Sequence, residues 1–384
     1  MNNFIFQNPT KLIFGEGMIS RLSKQIPEGA KIMLTYGGGS IKKNGIYDQV
    51  ISALKGFEVI EFGGIEANPD YDTLMRAVEI CKSEGIDFLL AVGGGSIIDG
   101  TKFISTAYAY PSDPWEFLLD ESKANVEGLP IGAVLTLPAT ASEMNNGAVV
   151  SRRTTNEKYP FHSKYAYPKF SILDPTAVYS LPKKQIANGI VDTYAHTLEQ
   201  YLTYDNKTLV MDRWAESLLQ TLIELAPSLM KDEQNYDAAS NFMLTATMGL
   251  NGFISMGTAQ DWATHMIGHE LTALCGLDHG ESLAVVFPGT MSVMRESKKD
   301  KLLQYGERVW GVSEGDDNAK IDATIAKTEE FFRSLDVRTR LSEYNVGDDT
   351  IAEIVGRFAS RGWSIGERGL VDSTQVQSIL NYVK

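Results

Sequence analysis

Three of the five histidines in this sequence, His265, His269 and His279, fall inside one stretch, GTAQDWATHMIGHELTALCGLDHGES, Gly257–Ser282. Imidazole is a versatile metal ligand and proton carrier, so clustering of this kind points to chemistry. His265 and His269 are four apart in a segment that reads as helix, which puts them on one face. Gly276 suits the C′ position that ends a helix, and His279 then sits on the turn beyond, free to fold back toward that face. Upstream, GIVDTYAHTLEQYL (Gly189–Leu202) carries Asp192 and His196 at the same four-residue spacing. Asp192, His196, His265 and His279 make an N3O set for a divalent metal, with His269 able to replace one of them; periodicity does not choose. Such donors suit Zn²⁺, Fe²⁺ or Mn²⁺. Any one of these histidines, like isolated His162, reads by itself as an ordinary hydrogen-bonded imidazole. Two i, i+4 pairs and a turn together favour ligation.

A second chemistry is written in glycine. KIMLTY (Lys31–Tyr36) reads as a buried strand and runs into Gly37-Gly38-Gly39-Ser40; DFLLAV (Asp87–Val92) does the same into Gly93-Gly94-Gly95-Ser96, then a helix. Glycines let a ligand approach the backbone, and a helix N-terminus offers N–H groups to a phosphate. A single such turn is weak evidence; two on one sheet, with the Thr/Ser-rich turn Thr136–Glu143, favour dinucleotide binding, although no GxGxxG is present. GGGSIKKNG (Gly37–Gly45) holds no acid but holds Ser40, Lys42 and Lys43, donors that favour a 2′-phosphate and hence NADP(H). A solvated helix face is the plain alternative for the two lysines.

Positioning these groups requires two kinds of structure. The first half alternates apolar strand-like runs (also 57–62 and 131–135) with helical patterns, the mark of an α/β domain with a parallel sheet. After Leu181-Pro182 helical periodicity takes over. We therefore expect an α/β dinucleotide-binding domain at 1–183 and an all-α, metal-binding domain at 184–384. Helices are expected at 236–253, 258–275 and 281–294, among others.

The 384 residues carry a net charge of −14, which disfavours nucleic acid or an anionic membrane as a partner. Cys81 and Cys275 are too few for a disulfide framework or a thiolate metal site, and a cytoplasmic protein is expected. No signal peptide or membrane span is expected either. The metal-bearing segments Gly189–Tyr201 and Gly257–Ser282 contain no Lys or Arg. That disfavours a phosphorylated substrate, while Trp262, Met266, Ile267, Leu271 and Phe253 suggest an uncharged aliphatic one.

TYGGGSIKKNG (35–45), FGGIEANP (62–69), LAVGGGSIIDGTKF (90–103), LTLPATASE (135–143), NGIVDTYAHTLEQY (188–201) and DWATHMIGHELTALCGLDHGESLAVV (261–286) together resemble the iron-containing (group III) alcohol dehydrogenase family, essentially end to end. The likeness is greatest to its bacterial NADPH-dependent aldehyde reductase and butanol dehydrogenase branch. The resemblance implies a dehydroquinate synthase-like fold and a homodimer. It also implies reversible reduction of aldehydes to primary alcohols by NADP(H), with one Fe²⁺ or Zn²⁺ polarising the carbonyl. It assigns the metal to Asp192, His196, His265 and His279, and leaves His269 beside substrate as a catalytic residue. It puts the cofactor's pyrophosphate and ribose against Gly94, Gly95, Ser96 and Asp99, with Asn68, Thr136, Ser142 and Lys158 also near the cofactor, in addition to Gly37, Gly38, Gly39, Ser40 and Lys43 of the first glycine turn read above. Gly38 stands where NAD-preferring relatives carry an aspartate, and Ala141 where close relatives commonly carry glycine. Two other readings remain at this stage. One is a metal-dependent cyclase or lyase of the dehydroquinate synthase type, with NAD used transiently. The other is a non-catalytic nucleotide-binding metalloprotein.

Overall fold

The computed structural model describes residues 1–231 and 234–384, which divide into two compact units. The first, Gln7–Pro182 with Gln234–Asn251, is built on a six-stranded sheet. Its strands are β1 (Lys11–Phe14), β2 (Lys31–Thr35), β3 (Glu58–Phe62), β4 (Phe88–Gly94), β5 (Ile131–Leu137) and, after the hairpin of β6 (Gly147–Arg152) and β7 (Glu157–His162), β8 (Phe170–Leu173). The order is β1-β8-β5-β4-β2-β3, and every neighbouring pair is parallel. Strands covered on both faces must be apolar throughout, which explains the unbroken runs in β4 and β5. Ile32, Leu34, Leu90, Val92, Val134 and Ile172 share one core with the Ile46–Ala53 helix.

This order has one consequence for function. β2 pairs with β4, but from β2 the chain proceeds to β3 on one side, and from β4 to β5 on the other. Connections leave that central pair in opposite directions, which opens a crevice at the carboxyl ends of the strands, the usual ligand position in open α/β sheets. Both glycine turns lie there.

The second unit comprises residues 1–6, 183–231 and 252–384, and among its described residues it contains no strand. Its core joins Ala263, Ile267, Leu271, Val285 and Val286 to Ile354, Phe358, Ile379 and Leu380 of later helices. The expected architecture, a parallel α/β sheet followed by helices, is what the chain adopts. Its routing is less simple than a single division at 183/184. Residues 1–6 pack with the helical unit, where the Asn2 N–H donates to the Gly257 carbonyl at 2.9 Å. The Tyr236–Gly249 helix packs with the sheet unit, burying Phe242, Met243 and Ala246 and donating from Thr247 Oγ1 to Glu143 at 2.5 Å.

Helix ends also moved. The expected 236–253 helix stops at Gly249, and the expected 258–275 helix begins only at Ala263. Between them Gly252, Gly257 and Trp262 have φ of 88°, 68° and 65°, left-handed values that no α-helix contains. The short strands β1 and β8 and the β6–β7 hairpin were not expected at all.

Candidate active site

Asp192 and His196 lie on the Lys183–Tyr201 helix, nearly every side of which is buried. His265 and His269 lie on Ala263–Cys275, ended by Gly276 at φ 69°. His279 is not on a free turn: it is the first residue of the His279–Val293 helix, capped by Asp278 in a reciprocal capping box with Glu281. Two glycines bring these helices together. A Cβ on Gly280 would lie 2.7 Å from the Asn188 carbonyl oxygen, so only glycine lets His279 approach the Asp192 face. A Cβ on Gly268 would lie 2.9 Å from Ser282 Oγ, where the two histidine-bearing helices cross.

Asp192, His196, His265 and His279 each offer one ligand atom, all within 4.8 Å of one another. His196 Nε2 and His279 Nε2 lie 3.5 and 3.6 Å from Asp192 Oδ1. A tetrahedron with ligand bonds of ~2.1 Å has edges of about 3.4 Å. The group therefore fits a small divalent ion after modest contraction, and its N3O donors suit Zn²⁺ or Fe²⁺ equally. The His196 and His265 rings stack at 4.7 Å between centroids. His269 is buried, outside the four-ligand group, with its ring 5.4 Å from that of His279.

Glu199, which the sequence reading passed over, is 2 % exposed and lies one turn beyond His196. Its Oε1 accepts from the His265 backbone N–H at 3.0 Å and sits 3.0 Å from His265 Nδ1; its Oε2 accepts from the Trp262 N–H at 3.1 Å. Nearby, Lys298 Nζ is buried among the Leu202 carbonyl (2.6 Å), Asp261 Oδ2 (2.7 Å) and Glu367 Oε2 (3.2 Å). Asp261 Oδ1 in turn accepts from the Ala263 N–H at 3.0 Å, at the first residue of the His265 helix.

In the sheet unit, Gly39 ends its turn at φ 91° and leads into the Ser40–Lys43 helix, with Gly38, Ser40 and Lys43 exposed. Gly95 opens the Gly95–Ala109 helix, and a Cβ there would lie 2.4 Å from Thr140 Oγ1. Several other expected cofactor residues are knitted together. Lys158 Nζ donates to Asn68 Oδ1 at 2.8 Å, and the Asn68 N–H donates to Ser96 Oγ at 3.3 Å. Ser142 Oγ donates to Asp99 Oδ1 at 2.5 Å, and Asp99 Oδ2 accepts from the Val149 N–H at 2.9 Å. Thr136 is buried on β5, beside the Gly93–Gly94 end of β4. Burial pushes the Asp99 carboxyl up, against the pull of the Lys102 ammonium. Burial likewise pushes Lys102 down to about 8; its Nζ donates to Asn145 Oδ1 and the Gly147 carbonyl. Ala141 has φ 51° and is fully buried, a left-handed position that favours glycine.

Two sequence expectations change. Lys42 is not a spare cation for a phosphate. Its Nζ is 2.9 Å from Glu61 Oε2 and lies over the rings of Tyr36 and Tyr47, at 4.8 and 4.6 Å from their centroids. Glu61 comes from β3, so the first glycine turn does have a carboxylate neighbour, one that sequence distance concealed; the Tyr47 hydroxyl and Lys42 hold its carboxyl below the usual range despite partial burial. Ile267 and Leu271, read as flanking an apolar substrate, are fully buried in the core, with Met266 packed against it. Phe253 stacks on Trp214 at 4.2 Å between centroids. Their apolar character serves packing within the helical unit.

Comparison with known proteins adds to this geometry. The family model for iron-containing alcohol dehydrogenase matches residues 9–175, and that for the C-terminal part of the same family matches residues 186–382. The chain is 51% identical to the NADPH-dependent aldehyde reductase YqhD of Escherichia coli, over 96% of each chain. It is 42% identical to a probable NADH-dependent butanol dehydrogenase of Bacillus subtilis, over 99% of each. The crystal structure of Escherichia coli YqhD superposes with a TM-score of 0.98, covering 100% of this chain and 99% of that one. That of NADH-dependent butanol dehydrogenase A from Thermotoga maritima, 34% identical, superposes with a TM-score of 0.95 over 100% and 99%. With both halves matched and the histidine helices in place, the chain belongs to the iron-containing alcohol dehydrogenase family.

Proposed function

We propose that this protein reduces aldehydes to primary alcohols with NADPH, reversibly, using one Fe²⁺ or Zn²⁺ held by Asp192, His196, His265 and His279. The observation that carries this reading is the four-ligand group within 4.8 Å, in a chain 51% identical to a reductase of that description. When bound, the metal supplies Lewis acidity toward the carbonyl oxygen, and NADPH supplies the hydride for the carbonyl carbon. The Asp192 carboxylate offsets part of the metal charge. His269 passes a proton to the substrate oxygen as it gains charge, a task within the range of an imidazole.

In the sheet unit, Gly94, Gly95 and Ser96 bind the pyrophosphate through backbone N–H groups at the start of a 15-residue helix. Asp99, Thr136, Ser142, Asn68 and Lys158 shape the rest of that site. Gly37, Gly38 and Gly39 let the adenosine ribose approach, and Ser40 and Lys43 read its 2′-phosphate. We take residues 1–183 and 184–384 as the cofactor-binding and metal-binding parts, and a homodimer in the cytoplasm as the working assembly. Among the described residues no helix is long and apolar enough to cross a membrane.

Replacing His265 or His279 by Ala tests the proposal. Both bound metal and aldehyde-dependent NADPH oxidation should be lost; full turnover by the metal-free double variant would refute it. Rates with NADPH and NADH on a ladder of aldehyde chain lengths then define the substrate.

A further inference from the structure

Glu199 touches the candidate metal group through His265, and both of its carboxyl oxygens are engaged there. Backbone N–H groups can donate and cannot accept. The Trp262 N–H reaches Oε2 and the His265 N–H reaches Oε1, so each carboxyl oxygen is committed as an acceptor. Oε1 also lies 3.0 Å from His265 Nδ1. Burial and the Asp261 charge push the Glu199 carboxyl up, while the two N–H donors and the Lys298 ammonium pull it down. Held as a carboxylate, its Oε1 accepts from the ring nitrogen that faces it, and that nitrogen carries the proton. In a neutral imidazole the lone pair is then on Nε2, the tautomer a metal needs from that atom.

The same carboxylate holds the backbone around it. The Glu199 carbonyl accepts from the Asp261 N–H at 2.9 Å, and its side chain holds residues 262 and 265. Trp262 is left-handed, with φ 65°, and its side chain makes no cap, so the helix start is held by these bonds together with the Asp261 carboxylate on the Ala263 N–H. Glu199 thus sets the backbone position, ring orientation and tautomer of one ligand at once.

We infer that Glu199 is a positioning residue that fixes His265 as its Nδ1–H tautomer and thereby sets the metal affinity of the Asp192, His196, His265 and His279 group. Such outer carboxylate partners typically change metal affinity by roughly 10- to 100-fold. The inference rests on reading that group as a metal site, but not on the identity of the substrate.

Glu199→Gln preserves shape and removes the acceptor-only constraint. With its carbonyl toward His265 the amide keeps the Nδ1–H tautomer and opposes the Trp262 N–H. Turned the other way, it donates to Nδ1, opposes the His265 N–H and moves the ring proton to Nε2. The two arrangements make equal numbers of bonds, so both tautomers should be populated.

The test uses the full chain, stripped of metal, with Zn²⁺ alone as probe in competition with a chromophoric chelator. E199Q should bind Zn²⁺ at least tenfold more weakly than the unaltered protein. Long-range ¹H–¹⁵N spectra of histidine-labelled, metal-free protein should show His265 as Nδ1–H in the unaltered chain and as a mixture in E199Q. A purely structural role would lower thermal stability without moving that spectrum. Unchanged Zn²⁺ affinity in E199Q overturns the inference, as does an Nε2–H tautomer of His265 in the unaltered protein. The second result needs no variant to fold. Failure of the unaltered chain to bind Zn²⁺ would overturn the metal reading with it, whereas tight Zn²⁺ binding without aldehyde turnover would refute only the proposed reaction.

Discussion

Lys298→Met puts the helix that carries His265 and His269 under direct test. The Lys298 ammonium is 4 % exposed and lies 2.7 Å from Asp261 and 3.2 Å from Glu367, whose side chains are 4 % and 3 % exposed. Methionine fills similar volume but leaves two buried carboxylates facing each other. Breaking a buried pair by removing one partner costs about 3–5 kcal/mol, far beyond the roughly 0–1 kcal/mol of a surface ion pair. At 2–4 °C per kcal/mol, the melting temperature should fall by roughly 6–20 °C. The loss should depend on pH. Burial is the main cause that holds the Glu367 carboxyl above its usual range, and Lys298 opposes it. Without Lys298 the group rises further. A carboxyl whose folded pKa exceeds its unfolded value destabilises fully above the folded pKa, and that penalty fades as protonation proceeds at lower pH. The gap between variant and parent should therefore narrow from pH 8 toward pH 5. Thermal unfolding followed by circular dichroism across that range is the assay. A fall of less than ~2 °C, far below what a broken buried pair costs, would refute the reasoning, as would a gap that widens in acid.

Lys43→Ala should raise KM for NADPH about fivefold, roughly 1 kcal/mol for one exposed charge, and leave KM for NADH unchanged. Lys42→Ala should instead improve the NADH to NADPH ratio of kcat/KM by exposing Glu61; equal effects of the two variants would contradict the separation drawn here. His269→Gln should retain its metal, measured by elemental analysis, while kcat falls roughly 10²-fold. Loss of metal would make His269 a ligand. Ala141→Gly should raise stability by about 0.5–1 kcal/mol in denaturant unfolding, since it relieves a left-handed alanine; a loss would show that the methyl packing matters more. The Lys102 ammonium, pushed down to about 8 by burial, binds its proton less readily in the folded state. Its cost is full below pH 8 and disappears as pH rises toward the unfolded value near 10.4, so the stability of the parent relative to Lys102→Met should increase over that interval.

Much of this was readable from the chain because local periodicity carried it. Asp192 and His196 at i, i+4 share a helix face whatever surrounds them, and a GGGS after an apolar run announces a βα turn. What was hidden depended on contacts distant in sequence. Glu61 reaches the first glycine turn only because β3 pairs with β2, and Lys42 loses its freedom there. Glu199 looked like any helical glutamate until the His265 helix crossed it. Ile267 and Leu271 share a helix with the histidines, yet they face the core. The strands β1 and β8, four residues each, are too short for periodicity to register. Left-handed Trp262 has no sequence signature, and it moved a helix start by a full turn.

The routing of the chain between its two units also bears on how the protein is made. Residues 1–6 are made long before the segment beginning at 252, which holds neighbours they pack with. The sheet unit, nearly complete by residue 182, lacks the helix that covers Glu143 until residues 234–251 have been synthesised. The sheet unit can therefore close only after residues 183–231 of the other unit have been made, and the helical unit only after the sheet unit's last segment. A truncation at 183 would release a sheet with an open apolar flank, a nascent-chain species for chaperones rather than a free-standing cofactor-binding domain.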